Sequence, residues 1–316
     1  MNAHTTDGPK PPRCFSKDDM TVIHGDTTAV LDSSVKDGSA ALIFADPPYN
    51  IGKRFGAFRD KWPSDSAYAE WCFEWLAVCI RKLTDTGSLY LMTSTQAMPY
   101  IDLWLRDRMT VRSRIVWHYD SSGVQAKHTF GSMYEPILFC SRSADEFTFN
   151  SDDIKVEART GATRKLIDYR KATPTVYNSH KVPGNVWYFP RVRYRMPEYE
   201  EHPTQKPEAL LTRIIKVSSN PGDLVLDPFA GSFTTGAVAQ QLGRRFIGIE
   251  AQAEYVRIGV RRLGISTTLD GAELKPPVKS RQRRNRNVVI RPLIIGKCRR
   301  VIQLLIQLLE ISIAAP

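Results

Sequence analysis

The chain has 316 residues, 42% of them hydrophobic, with a formal net charge of +11, which suits one large α/β domain with an insertion and an ample core. No run of 18 apolar residues occurs, so no membrane-spanning helix is expected. Five cysteines (Cys14, Cys72, Cys79, Cys140, Cys298) without C-x-x-C, and six histidines without ligand spacing, argue against a disulfide framework or a metal site and for reduced thiols in the cytoplasm.

In chain order, residues 1–19 are polar, lack a hydrophobic signal core and read as a flexible N-terminus. The apolar run Ala40-Ala41-Leu42-Ile43-Phe44-Ala45 then leads straight into Asp46-Pro47-Pro48-Tyr49. This motif suits chemistry at an exocyclic amine. Such a nitrogen is a poor nucleophile because its lone pair is delocalised into the ring, so it must be held in line and made pyramidal. Two acceptors on its two hydrogens do that: the Asp46 carboxylate, and the Pro47 carbonyl, held by a residue with a fixed φ and no N–H. Pro48 completes the turn, and Tyr49 offers a face on which a base can stack. Positioning and charge stabilisation would carry the reaction without a covalent intermediate. Four residues alone also fit a strand ending in a proline turn, so the rest of the chain decides.

Residues 51–59 mix glycines, cations and two phenylalanines, fitting either a loop that closes on an extruded base or a surface connection. A helix is expected over 68–83, with Trp71, Trp75, Val78 and Leu83 near one core-facing side, then strands at 88–92, 113–119 and 135–140. Segment 159–195 holds nine Lys or Arg, among them Arg164, Lys165, Arg170, Lys171, Arg191, Arg193 and Arg195, against the single acid Asp168. Tyr169, Tyr177, Trp187, Tyr188, Phe189 and Tyr194 are interleaved. Cations that neutralise phosphates, mixed with rings that contact bases, point to DNA over the solvated face that a charge run usually marks. The total charge says less, because residues 274–316 hold +9 of it and the preceding 273 residues only +2.

Residues 207–217 read as a helix. Leu224-Val225-Leu226 reads as a short buried strand entering Asp227-Pro228-Phe229-Ala230-Gly231-Ser232-Phe233-Thr234-Thr235. Gly231 lets a ligand approach the backbone, Ser232 suits the N-cap of a helix running to Leu242, and Gly243 stops that helix. The next strand, 246–250, ends in Glu250, about 20 residues past the glycine turn, where a Rossmann-like sheet holds ribose hydroxyls. The loop lacks G-x-G-x-x-G, which favours a ligand ending in a small zwitterion, such as S-adenosylmethionine, over NAD. Alternating strands and helices imply a parallel doubly wound sheet with its ligands at the strands' carboxyl ends, so Asp46 and Glu250 should share a rim.

Together with His24-Gly25-Asp26 and His202-Pro203-Thr204-Gln205-Lys206-Pro207, these motifs resemble the β class of amino-methylating DNA methyltransferases, within it the orphan adenine enzymes. In that class the catalytic motif precedes the cofactor motif. The resemblance implies a Rossmann-like S-adenosylmethionine-dependent methyltransferase sheet over residues 20–264, with an inserted target-recognition region at 141–201. It implies that Asp26 lies near the cofactor adenine and that His202, Thr204, Gln205 and Lys206 contact the methionine end. Asp227, Pro228, Phe229, Ala230, Gly231, Ser232, Thr234 and Glu250 would complete the site. The expected reaction is methylation of N6 on an adenine rotated out of duplex DNA, in a cytoplasmic, nucleoid-associated enzyme. Cytosine N4 is the alternative, for which this family tends to use Ser at the position of Asp46. Cytosine C5 chemistry needs a thiolate, usually following proline, and no cysteine here does. A noncatalytic DNA-binding protein would leave both cofactor motifs idle, and a nucleotide-dependent oxidoreductase would explain Glu250 but not Asp46.

One departure from the resembling family is Phe233, which stands where many members carry the second glycine of Gly-Ser-Gly-Thr-Thr. Phenylalanine resists positive φ, so the loop is expected to be helical there, with the ring packed beneath it or bordering the cofactor. Residues 265–316 turn to Pro, Lys, Arg and Asn and read as a basic linker followed by a helix at 301–313. A docking helix, a homodimer contact and an adventitious extension all remain open for it.

Overall fold

The run before Asp46 is almost wholly buried, as a strand with neighbours on both edges and helices on both faces must be. A computed structural model describes residues 12–120, 127–128, 130–158 and 165–274. Arg159, Arg164 and residues 275–316, with the helix expected at 301–313, lie outside the described residues.

The chain begins with β1 (Arg13–Lys17), β2 (Met20–His24), α1 (Thr27–Ser34) and β3 (Ala40–Ala45), followed by the small hairpin β4 (Arg54–Phe55) and β5 (Phe58–Arg59). Next come α2 (Asp65–Lys82), β6 (Leu83–Met92), α3 (Met98–Arg106), β7 (Thr110–His118) and β8 (Tyr134–Ser141). The insertion supplies short strands β9 (Val156–Glu157), β10 (Ile167–Asp168), β11 (Thr175–Val176), β12 (His180–Lys181) and β13 (Val186–Tyr188). The chain then returns to α4 (Glu208–Ser218), β14 (Leu224–Asp227), α5 (Thr234–Gln241), β15 (Arg245–Glu250) and α6 (Ala253–Arg262), and ends in a hairpin of β16 (Thr268–Leu269) and β17 (Ala272–Glu273).

Among the described residues the main sheet has nine strands in the order β1-β2-β15-β14-β3-β6-β8-β7-β13. Side chains alternate across a strand, and the two faces take different partners. Leu42, Phe44, Val225 and Phe246 pack with α4, α5 and α6, whereas Ile43, Leu226 and Ile249 pack with α1, α2 and α3. The result is a doubly wound three-layer α/β sheet. Its centre is parallel, from β2 through β15, β14 and β3 to β6.

The expectation of a fully parallel sheet is corrected in two places: β1 runs antiparallel to β2 at one edge, and β8 runs antiparallel to both β6 and β7. The link from β7 to β8, residues 119–133, is rich in Ser and Gly and carries no apolar helical period, so its sequence offers no crossover helix. The insertion is also less separate than its composition implies, because β13 adds in parallel to β7 as an edge strand and buries Trp187. On α2 the buried stripe is Tyr68, Cys72, Trp75, Leu76 and Cys79. Trp71 leans out of it against Trp62 and Phe229.

Phe233 overturns a second expectation. It is left-handed (φ 56°, ψ 32°), and α5 starts after it at Thr234, so Phe233 rather than Ser232 occupies the N-cap position. The Ser232 hydroxyl instead pairs with that of Thr234 (3.0 Å). The ring is wholly buried, edge-on to Phe246. It fills the space over two glycines, since a Cβ on Gly248 or Gly259 would come within 2.8 Å or 2.5 Å of it. Left-handed backbone costs roughly 1–2 kcal/mol, and burying a phenylalanine returns about 1.5–3 kcal/mol, so packing wins over the backbone preference. Phe233→Gly should therefore destabilise by about 2–3 kcal/mol, the cavity cost less the backbone relief. An unchanged urea midpoint would contradict this.

Candidate active site

Three carboxylates sit at the carboxyl ends of adjacent parallel strands: Asp46 just after β3, Asp227 closing β14 and Glu250 closing β15. All three line one cavity of about 550 Å³, so the shared rim follows from strand register. Asp227 locks the loop at its own strand end, accepting from the Phe229 amide (3.0 Å) and the Thr235 hydroxyl (2.6 Å), and burial pushes its carboxyl up to about 7. Glu250 accepts from the amides of Gly231 (2.9 Å) and Gln252 (2.7 Å); burial raises it to about 7 as well. Gly231 has φ 49°, and a Cβ there would lie 2.9 Å from His202 Nε2, so the loop can cross the imidazole only as glycine. Burial, then Lys206, depresses His202 to about 3, which keeps its ring neutral against the edge of Tyr255.

Pro228, Phe229, Ala230, Ser232, Thr234 and Thr204 line the same cavity. So does Asp26, which caps α1 through the amides of Thr28 and Ala29. Gln205 does not line it. Its carboxamide staples the preceding loop instead, accepting from the Glu200 amide (2.7 Å) and donating to the Glu198 carbonyl (2.5 Å).

Lys206 lines the cavity too, and its ammonium reaches the carboxylate of the Asp-Pro-Pro-Tyr turn. Nζ lies 2.6 Å from Asp46 Oδ2 and 3.5 Å from Glu135 Oε2. The Tyr49 hydroxyl donates to Asp46 Oδ1 (2.6 Å) and is 3.1 Å from Glu135 Oε2. Burial raises the Asp46 carboxyl, and the Lys206 ammonium offsets part of that rise. Burial opposes the charge on Lys206, yet Asp46 and Glu135 outweigh it and raise its pKa, so it stays an ammonium. The Tyr68 hydroxyl takes the Pro48 carbonyl (2.7 Å). Among the described residues no donor engages the Pro47 carbonyl.

The sequence profile of the N6_N4_Mtase family, described as DNA methylase, matches residues 40–261. The chain belongs to this family of DNA methylases. It is 58% identical over 274 residues to the DNA adenine methyltransferase YhdJ of Escherichia coli K12, covering 87% of this chain and 92% of that one. It is 36% identical over 232 residues to the type II methyltransferase M.HpaI of Haemophilus parainfluenzae, covering 73% and 70% respectively. Among solved structures, PvuII DNA methyltransferase (cytosine-N4-specific) superposes with TM-score 0.57 at 17% identity, over 77% of this chain and 86% of the other. The M1.HpyAVI–SAM complex does so with TM-score 0.52 at 24% identity, over 77% and 100%. At those identities the structures speak for the fold alone.

In this methylase the 51–59 segment is a hairpin seated over the His202 end of the cavity. Gly56 turns with φ 57° against Glu254 and Gln252 at the start of α6, and Phe55 packs 6.0 Å from His202. Lys53 donates to the Pro203 carbonyl (3.1 Å), and Asp60 accepts from the Tyr49 amide (3.2 Å), which ties the hairpin to the Asp-Pro-Pro-Tyr turn. Glu135 and the cavity-lining Trp71 were not singled out from the sequence for this site. Of the basic residues, Arg191 reaches the cavity and lies over Tyr119. Arg193, Arg195, Lys165 and Lys171 are exposed. Arg170 is exposed too, but its guanidinium is held by both oxygens of Asp168 and lies 5.7 Å from the Tyr177 ring centroid.

Proposed function

We propose that this DNA methylase transfers the methyl group of S-adenosylmethionine to N6 of an adenine turned out of duplex DNA. The observation that carries the reading is the single cavity shared by Asp46 and Glu250. The cavity's lining fits the donor: a glycine cradle under His202, the Gly231 loop, and acids at the end where hydroxyls would be bound. Asp26 and Glu250 would hold the nucleoside part, and the loop from Asp227 to Thr234, with His202 and Thr204, the remainder. When bound, the donor supplies an electrophilic methyl on a sulfonium.

The chain's own groups do the rest. The Asp46 carboxylate and Pro47 carbonyl accept the two amine hydrogens, which draws the nitrogen lone pair out of conjugation and aims it. Lys206 keeps Asp46 usable as an acceptor in a site where burial would favour its protonated form. Tyr49 is fixed through its hydroxyl, leaving its ring as a wall of the base pocket. Adenine is favoured over cytosine by the kinship to an adenine enzyme at 58% identity and by Asp, rather than Ser, at position 46. The shared fold does not discriminate, since a cytosine-N4 enzyme also has it.

The insertion would select the DNA sequence while the sheet performs the transfer. Replacing Arg191, Arg193 and Arg195 together with alanine should weaken duplex binding and flatten its salt dependence by about three ions' worth of slope, without altering donor affinity. An unchanged salt titration would refute it. An enzyme acting on DNA works where the DNA is, which is the cytoplasmic, nucleoid-associated placement proposed here. Among the described residues no helix is long and apolar enough to cross a membrane. The test of function is to incubate the protein with labelled donor and duplex DNA and digest to nucleosides. N6-methyladenine is the expected product; N4-methylcytosine, or no methylated base, would overturn the reading.

A further inference from the structure

We propose that Glu135 is the far end of a proton path, running from Asp46 through Tyr49, that carries off the proton released when the amine is methylated. This rests on Asp46 acting as proposed above. Forming the N–C bond as the C–S bond breaks leaves the electron pair on sulfur and a nitrogen bearing a methyl and two hydrogens. That nitrogen is positively charged and returns to neutrality by losing one proton. Asp46 holds one of those hydrogens, so it is the first acceptor. It cannot keep the proton and serve the next turnover.

The geometry supplies the next two steps. Tyr49 Oη has one proton and two carboxylate oxygens within reach, Asp46 Oδ1 at 2.6 Å and Glu135 Oε2 at 3.1 Å. Turning the hydroxyl toward Glu135 hands over the phenolic proton while Oη accepts the one from Asp46. Asp46 is then a carboxylate again, Tyr49 a neutral phenol and Glu135 a carboxylic acid, so atoms and charge balance. The cluster has room for that proton. Two carboxylates face one ammonium, Lys206, leaving one surplus negative charge in a buried site. The other groups around Glu135 do not remove the surplus by direct pairing. Tyr119, whose pKa burial and then Glu135 raise, is a neutral phenol that can give Glu135 a hydrogen bond but no positive charge, while Lys53 and Arg191 act on the neighbourhood only through charge at longer range. Burial, followed by both carboxylates, raises Tyr49 well above its ordinary value, so it passes protons by exchange and not as a phenolate.

Glu135 acts through Tyr49 and touches no reacting atom, so its test must separate proton handling from support of the fold. Steady-state turnover on a duplex oligonucleotide at saturating donor and DNA, which requires Asp46 to be reset each cycle, is measured between pH 6 and 9 for wild type, Glu135→Gln, Glu135→Asp, Tyr49→Phe and the Gln/Phe double variant. Donor and DNA affinities are measured by calorimetry. Glu135→Gln is expected to slow turnover about 100-fold at pH 7, with both affinities within twofold of wild type. Its rate should climb toward alkaline pH, as solvent takes the proton, and Glu135→Asp should recover much of the loss. The double variant should be no slower than the slower single, because both interrupt one path. A Glu135→Gln rate and pH profile like wild type, losses that add in the double variant, or a loss that follows weakened binding would each overturn the path. Asp46→Ala run alongside separates the two readings. If it is inactive while Glu135→Gln is normal, only the path fails; if it is active, the role of Asp46 fails first.

Discussion

Replacing Asp46 with alanine is expected to lower single-turnover methylation at least about 10³-fold, the scale for removing a positioned charge acceptor from a water-excluded site. Donor affinity stays within a few fold, because the loop that would hold the donor is built from other contacts: Asp227 to Phe229 and Thr235, and Glu250 to Gly231 and Gln252. The fold survives the change. Lys206 loses its 2.6 Å partner but keeps Glu135 at 3.5 Å, so the buried ammonium is not stranded. Asp46→Asn preserves the volume and tests charge alone. It can still accept from the amine but cannot take the proton, and it should fall nearly as far as alanine. Donor binding by calorimetry alongside the rates decides the matter. A variant that methylates within tenfold of wild type would remove Asp46 from the mechanism, whereas one that loses donor binding would assign it a different role.

What could be read from the sequence was whatever depends on strand ends. Asp46, Asp227 and Glu250 each follow an apolar run, and in a parallel sheet that alone brings them to one rim. Glu135 escaped the same logic because it begins its strand. In a parallel sheet that would place it at the opposite rim, but β8 is antiparallel and its start faces the active site. The 119–133 connection, rich in Ser and Gly, carries no apolar helical period, which fits an antiparallel return better than a helical crossover. Lys206 was legible as a site residue but not as the partner of Asp46, since that pairing spans 160 positions of chain and exists only after folding. At Phe233 the backbone preference points the wrong way, because the hollow over Gly248 and Gly259 that its ring fills lies outside any local window. Gln205 and Arg170 show the converse. Both sit in suggestive motifs, yet a nearby backbone or carboxylate already occupies their polar groups.

Lys206→Met carries the other large effect, on both stability and rate. The substitution keeps much of the side chain's length and apolar stem but strips the counter-charge from two buried carboxylates. Breaking a buried ion pair from one side costs about 3–5 kcal/mol. The sign of its pH dependence follows from linkage. Without the ammonium, burial and the mutual repulsion of Asp46 and Glu135 drive the Asp46 carboxyl further above its unfolded value of 3.8 than it already lies. A folded-state pKa raised in this way stabilises fully below the unfolded value and is lost as pH rises through the folded one. The deficit relative to wild type is therefore smallest near pH 5 and grows toward pH 8. The rate moves the opposite way. On the proposed mechanism transfer needs Asp46 as an ionised acceptor, so the variant should be slow at neutral pH and recover as alkali removes the proton from Asp46. Denaturant unfolding and single-turnover rates at pH 5, 6.5 and 8 read both trends. Parallel pH profiles for variant and wild type would show that Lys206 does not set the charge on Asp46, and a selective loss of donor affinity would return it to the methionine end of the cofactor site.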